Sequence, residues 1–298
     1  MSLERPLISV LLLCYNHQNY VGEAVDGVLG QTYAPLEVLI FDDCSPDKTA
    51  DVIESRLAAR GTPGNVRFIR NPQNLGATET VKKALAMAGG RFIVLSCGDD
   101  IMLPRMVEKM ADLWMTENVS LVTTNAIYID ERSNSLDRTF RDPDSVADDS
   151  FETLARDGGN ACCFGPAIGF EPELYARFGW VPPYVEGFDV MLPFYAYLLK
   201  GARFINEPLL KYRVHEQNTS LSLIAERFSD AKRSEAEERI HLNHLAHAVL
   251  MEEVLDRLRN EEPDRYKSIA DRILPLLAIH LAERSKKLVR ERRMRIMA

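Results

Sequence analysis

Apolar positions in the first 125 residues gather into short, nearly unbroken runs: Leu7 to Cys14 (LISVLLLC), Leu36 to Phe41 (LEVLIF), Val66 to Ile69, Phe92 to Leu95 and Leu121 to Thr124. Runs of this length without alternation predict strands buried on both faces, as in a parallel sheet covered by helices. Between them, apolar residues recur at helical spacing around Val21 to Leu29, Thr49 to Ala59, Thr78 to Ala88 and Arg105 to Trp114. Such strand–helix alternation predicts an α/β domain of repeated βαβ units with a mostly parallel sheet. The pattern then changes. Asp130 to Ser150 is polar and rich in Asp, Arg and Ser, which predicts a long, mobile excursion from the sheet. Beyond Leu221 the strand signals stop and helical spacing with charged faces takes over, broken at Pro263 and followed by further helix. The expected division is an α/β domain over residues 1–222 and a helical C-terminal region over 223–298.

In open α/β sheets, ligands bind outside the carboxyl ends of the strands. Here Leu7 to Cys14 runs into Tyr15-Asn16-His17, Leu36 to Phe41 into Asp42-Asp43-Cys44-Ser45-Pro46-Asp47, and Phe92 to Leu95 into Ser96-Cys97-Gly98-Asp99-Asp100. One sheet edge thus receives an aromatic residue and two pairs of carboxylates. No GxGxxG follows the first strand and no GxxxxGK[ST] occurs, so dehydrogenase and P-loop readings are weak. A diphosphate can instead be held by a divalent cation bridging phosphate to carboxylate, for which Asp99 and Asp100 are suitably placed. Plainer readings compete. Gly98-Asp99-Asp100 suits an ordinary turn, and Ser45-Pro46 suits a helix start with Ser45 as N-cap and Pro46 as the first helical residue. Neither explains Asp42 and Asp43 closing an apolar strand.

Charge narrows the partners. The 298 residues carry 36 Lys and Arg against 44 Asp and Glu, a net charge of −8, which disfavours nonspecific nucleic-acid binding. No apolar run reaches the roughly 18 to 20 residues of a membrane span, and the N-terminus lacks a secretory pattern. The five cysteines show no CxxC spacing, so neither a disulfide framework nor a zinc ribbon is expected, and a cytoplasmic protein is. Residues 283–298 hold seven basic and two acidic residues interleaved with Leu288, Val289, Met294 and Ile296. That tail suits peripheral contact with the anionic inner face of a membrane, or equally a solvated helix end. His241, His244 and His247 share part of a helical face, but no acidic or cysteine partner is fixed beside them.

Three blocks carry a family resemblance: ISVLLLCYNHQNYVGEAVDGVLGQTYAPLEVLIFDDCSPDKT, NPQNLGATETVKKALAMAGGRFIVLSCGDDIMLP and EGFDVMLPFYAYLLKGARFINEPLLKYRVHEQNTS. Over about the first 220 residues the chain resembles the inverting family 2 glycosyltransferases of GT-A fold. The resemblance implies transfer of a sugar from a nucleotide-sugar, UDP-linked, to a hydroxyl of a saccharide or lipid-linked acceptor, in cell-surface polysaccharide or glycoconjugate synthesis, with Mg²⁺ or Mn²⁺ as cofactor. By position, Tyr15 and Asn16 would flank the nucleoside and Asp43 would accept a hydrogen bond from the base, while Asp42 would orient the turn or touch the ligand directly. Asp99 would hold the metal, with Asp100 and His215 beside it, and Arg213 would pair with a phosphate or a carboxylate. Asp189 would be the general base, with Glu186 in reserve. Asp189 also reads as the N-cap of a helix from Val190 to Lys200 with Pro193 in its first turn, a role compatible with catalysis because a helix N-terminus favours an ionised carboxylate.

Two departures from the family pattern stand out. Cys97 occupies the first position of the Asp-x-Asp metal motif, where a soft thiolate ligand is conceivable although hard oxygen sites prefer Mg²⁺ or Mn²⁺. Val81-Lys82 stands where Arg-Asn is common, so Lys82 or Lys83 would neutralise a diphosphate or simply be solvated. These departures keep open a non-catalytic relative that binds nucleotide-sugar or saccharide in a regulatory or assembly role. A nucleotidyltransferase is a second alternative, weakened by the missing glycine-rich first loop. The helical region offers a surface for a homodimer.

Overall fold

The computed structural model describes residues 5–142, 144, 165–182, 187–216, 218 and 230–270. Glu186, the tail 283–298 and the expected boundary near Ser222 lie outside them, as do the side chains of His241 and His244. The chain forms two compact units, one of residues 1–147, 163–179 and 195–215, the other of residues 148–162, 180–194 and 216–298.

The first unit is built on a nine-stranded sheet. Its parallel part follows the sequence rhythm: β1 (Ile8–Cys14), β2 (Leu36–Asp42), β3 (Val66–Arg70) and β4 (Phe92–Cys97), joined by α1 (Val21–Leu29), α2 (Thr49–Ala59) and α3 (Ala77–Met87). After β4 come β5 (Ile101–Met102), α4 (Met106–Glu117), β6 (Leu121–Ile129), β7 (Ser135–Thr139), β8 (Ile168–Phe170), α5 (Glu173–Phe178), α6 (Leu192–Leu199) and β9 (Ala202–Arg213). The strand order is β3-β2-β1-β4-β8-β6-β9-β5, with β7 paired to β6. Pairings among β1 to β4 are parallel, β8 runs antiparallel between β4 and β6, β6 and β9 are parallel, and β5 is antiparallel to β9. The sheet is therefore mixed, with its parallel half at the N-terminus. The excursion expected after Asp130 begins instead as a hairpin, because Ser135–Thr139 turns back on β6.

Near-continuous hydrophobicity in β1, β2 and β4 has the expected cause. Val10, Leu11, Leu12, Leu39, Ile40, Phe41, Ile93 and Val94 have no exposed surface, so both faces of these strands are covered. Helix α1 buries Val21, Ala24, Val25 and Val28, the one-sided stripe of a helix lying on a sheet. Helix α2 begins at Thr49 and not at Pro46. Its first turn is held by the Asp47 carboxylate, which accepts the Thr49 N–H at 2.9 Å, while the Ser45 hydroxyl accepts the Asn16 N–H at 2.9 Å. The expected cap residue thus serves another loop.

A partly buried ion pair braces the sheet at β8. Glu171, after β8, accepts the Trp114 indole N–H at 3.0 Å and the Ser120 hydroxyl at 3.1 Å, and pairs with the Lys200 ammonium at 2.8 and 2.9 Å. Where β1 and β4 enter the sheet, Gly90 donates its N–H to the Ser9 hydroxyl at 2.9 Å. A Cβ at Gly90 would sit 2.4 Å from the Ser9 backbone nitrogen and 2.9 Å from the Ile8 carbonyl carbon. Backbone must move to admit it, so Gly90→Ala is expected to destabilise by about 2 kcal/mol, read as a lower urea midpoint at unchanged m. A shift within about 0.5 kcal/mol would show that the strand entry yields freely.

In the second unit the described elements are the turn at 187–191, the start of α6, α7 (Asp230–Glu261) and a helix over 263–270. Helix α7 stops before Pro263, which opens the next helix, a position where its missing N–H costs nothing. Val254, Leu255 and Leu258 are buried at helical spacing. Among the described residues no helix is long and apolar enough to cross a membrane.

Candidate active site

Two strand ends make the first half of the site. After β1, Tyr15 is 43% exposed and Asn16 adopts φ 61°. Asparagine tolerates that left-handed backbone better than most residues, and its N–H is held by Ser45. At the end of β2 the two carboxylates part company. Asp42 has no exposed surface; it accepts the Ser45 N–H at 3.3 Å and pairs with Arg70 Nε at 3.2 Å. Its carboxylate is thus engaged by the turn that follows β2. Asp43 accepts the Asn71 side-chain amide at 2.8 Å, the Leu75 N–H at 2.9 Å and the Gly76 N–H at 2.8 Å. A carboxylate has about four acceptor sites, so roughly one is left for a ligand donor. Asn71 is steadied in turn by Lys83 Nζ on its carbonyl at 2.7 Å, while Lys82 pairs with Glu79. Neither lysine is solvated alone, and Lys83 acts on the Asp43 network.

The end of β4 makes the second half. Cys97, Asp99 and Asp100 offer a sulfur and two carboxylate oxygens, all within 4.8 Å of one another. Strand β5 follows at once and pairs with β9, Ile101 opposite Lys211 and Met102 opposite Leu210, which draws Arg213 and His215 to this corner. His215 Nε2 lies 3.0 Å from Asp99 Oδ2, and His17 Nε2 lies 3.7 Å from the same oxygen. Burial works against the Asp99 charge, but the His215 hydrogen bond and the two imidazoles hold its carboxyl below the usual aspartate range. Asp100, 1% exposed, behaves oppositely: burial, then repulsion from Asp99, pushes its carboxyl well above that range. Burial lowers His17, and burial followed by Asp100 and Asp99 raises the Tyr212 phenol. Titratable neighbours driven apart in this way are common at functional sites.

Arg213, expected to meet a phosphate or a carboxylate, meets a carboxylate inside the protein. It has no exposed surface. Its Nε donates to the Asp99 carbonyl at 2.8 Å, its NH1 to the Asp130 carbonyl at 3.1 Å and the Ser133 hydroxyl at 3.0 Å, and its NH2 to Glu23 at 2.6 Å. The Arg213 backbone N–H holds Asp100 Oδ1 at 2.9 Å, and Tyr20 lies against the guanidinium at 4.9 Å. All these partners lie within the protein, so the side chain braces the carboxylate corner from behind.

In the second unit, Asp189 lies in the turn that precedes α6, which starts at Leu192. The expected N-cap is therefore displaced: the Asp189 carbonyl accepts the Leu192 N–H at 3.0 Å, although Pro193 does fall in the first turn. Gly187 takes φ 85°, and a Cβ there would press on the Asp189 carboxylate at 3.2 Å. Burial pushes the Asp189 carboxyl up, and its own backbone amide draws it partly back.

Sequence reasoning passed over three contributors. His17 stands two residues beyond Tyr15, and only the folded strand ends show that it faces Asp99. Glu23 and Asn71 sit in ordinary helix and loop sequence, and no local pattern marks them as partners of Arg213 and Asp43.

A mixed sheet of this order with carboxylates at its strand ends is the GT-A glycosyltransferase architecture. The family model described as glycosyl transferase family 2 matches residues 9–178, and the chain belongs to that family. It is similar to an uncharacterized glycosyltransferase of Nostoc sp., 24% identical over 233 residues that cover 77% of this chain and 71% of that protein. It also resembles the Escherichia coli UDP-Glc:alpha-D-GlcNAc-diphosphoundecaprenol beta-1,3-glucosyltransferase WfgD, 28% identical over 157 residues covering 52% of this chain and 58% of the relative. Among solved structures, the mannosyltransferase PcManGT from Pyrobaculum calidifontis, in complex with GDP-Man and Mn²⁺, shares the fold at TM-score 0.57 and 16% identity, over 94% of this chain and 87% of that one.

Proposed function

We propose that the protein is an inverting glycosyltransferase that takes a sugar from a UDP-linked donor and passes it to a hydroxyl of a saccharide or lipid-linked acceptor. The observation that carries this reading is the β4 corner: a buried aspartate between two imidazoles, with a second carboxylate and a thiol beside it. The relative WfgD, whose name gives a UDP-linked donor and a diphosphate-lipid acceptor, supports the choice of substrates.

The residues fit a divalent cation. Asp99, Asp100 and His215 would hold Mg²⁺ or Mn²⁺, whose bound charge would offset that of the departing diphosphate. Tyr15, exposed at the end of β1, offers a face to the base, and the remaining acceptor site of Asp43 takes a base N–H. A base without that donor would leave the carboxylate oxygen unpaired, a penalty of about 1–3 kcal/mol. Asp189 takes the proton from the acceptor hydroxyl while that oxygen attacks the anomeric carbon and the bond to the phosphate oxygen breaks, so one carboxylate base suffices and the configuration inverts.

Calorimetry with UDP, GDP and dTDP in Mn²⁺, Mg²⁺ and EDTA tests the donor site. UDP is expected to bind only with metal, and Asp43→Ala to lose it; a folded protein that binds none of the three refutes the reading. Asp189→Asn is expected to keep UDP affinity and to lower turnover by about 10² to 10⁴-fold. Because the base works ionised and burial raises its carboxyl, activity falls as pH drops through a value above the ordinary aspartate range of about 4. An acidic limb at or below that range would point to a different base.

A further inference from the structure

We propose that Cys97 is itself a ligand of the cation, binding as the thiolate, and that it biases this site toward thiophilic divalent metals, Zn²⁺ and Co²⁺ ahead of Mg²⁺. The inference rests on the reading of the Asp99 corner as a cation site and names a donor that the reading above leaves out.

Geometry supplies the first argument. The thiol sulfur at the end of β4 and the Asp99 and Asp100 oxygens in the turn after it lie within 4.8 Å of one another. Ligand bonds to such metals are about 2.0–2.3 Å long, so donors this close can share one ion after small side-chain rotations. Gly98, between Cys97 and Asp99, keeps the corner tight: a Cβ there would lie 2.7 Å from His17 Nδ1 and 2.9 Å from Cys14 Sγ.

The second argument is an unmet need. Asp100 is 1% exposed; its Oδ1 accepts the Arg213 N–H, and its Oδ2 finds no hydrogen-bond partner among the described residues. A buried carboxylate oxygen left unpaired is costly, and a cation beside Asp99 and Cys97 satisfies it. Asp99 brings both of its histidine neighbours to the same place.

The third is donor chemistry. Mg²⁺ asks for oxygen ligands and keeps its water, whereas sulfur and imidazole nitrogen favour metals later in the divalent series. A corner that sets one sulfur beside two carboxylates leans toward the latter. On binding, the thiol gives its proton to solvent and the sulfur lone pair goes to the metal.

Co²⁺ titrated into the full-length protein gives a direct readout. A thiolate-to-cobalt charge-transfer band in the near ultraviolet is expected in the wild type. It should vanish in Cys97→Ser while Co²⁺ still binds by calorimetry, and both band and binding should be lost in Asp99→Ala. In competition, Mg²⁺ is expected to need at least about 100-fold higher concentration than Zn²⁺ to displace Co²⁺, and Cys97→Asp to narrow that gap by about tenfold or more. Co²⁺ binding that depends on Asp99 but shows no band overturns the thiolate and leaves the cation site standing. No binding of any of these ions by the folded wild type overturns both.

Discussion

Asp99→Asn is expected to lower transfer by on the order of 10³-fold and to remove the metal dependence of nucleotide binding. The substitution keeps shape and one acceptor oxygen, so the His215 hydrogen bond at 3.0 Å can persist and the local fold with it. What disappears is the charge. In the native protein that charge survives burial because two imidazoles and a hydrogen bond favour it, which keeps Asp99 ionised at neutral pH while its neighbour Asp100 is driven the other way. Asparagine cannot supply that anion, and Asp100, held by the Arg213 backbone, is left as the sole carboxylate of the pair. Donor turnover, with calorimetry of UDP in Mn²⁺ and in EDTA, measures the effect. A variant within about tenfold of wild type on both measures would remove Asp99 from the centre of the mechanism.

Arg213→Met is expected to destabilise the first unit by about 2–4 kcal/mol, chiefly through buried acceptors left without donors. It leaves Glu23 without its buried partner and strips donors from the Asp99 and Asp130 carbonyls and from Ser133. For a domain of this size the melting temperature is expected to fall on the order of 10 °C. Arg213→Lys recovers only part of this, because one ammonium cannot reach Glu23, Ser133 and two carbonyls at once. Thermal and urea unfolding of the pair check it. If lysine restores full stability, charge alone mattered and the forked geometry did not.

How much of this was readable in advance depended on whether the cause was local. Strands β1 to β4 and helices α1 to α4 were legible to within a few residues because burial on two faces, or on one, writes its period directly into the chain. Strand β9 was not. It contains Pro208, and its register against β6 slips there, Thr124 opposite Ile205 but Asn125 opposite Pro208, so no clean period survives. Three-residue β8 is too short to leave one. In the site, carboxylates at strand ends marked Asp43 and Asp99, and the family resemblance added His215, but function assignments that turn on burial were beyond reach. Arg213 has the composition of a phosphate clamp and the surroundings of a strut. Cys97 looked like a defect in a metal motif until its sulfur was seen beside both carboxylates.

The spacing of these contacts along the chain also sets the order in which the site is completed during synthesis. Asp43 closes with Asn71, Leu75 and Gly76 across 28 to 33 residues. Asp99 waits 116 residues for His215, and Glu23 waits 190 for Arg213. Loop closure costs more with length, and contacts of high separation slow folding. A ribosome that has released the first 100 residues has supplied the described partners of Asp43, whereas the acidic corner gains its strut and its second imidazole only when β9 has emerged and docked.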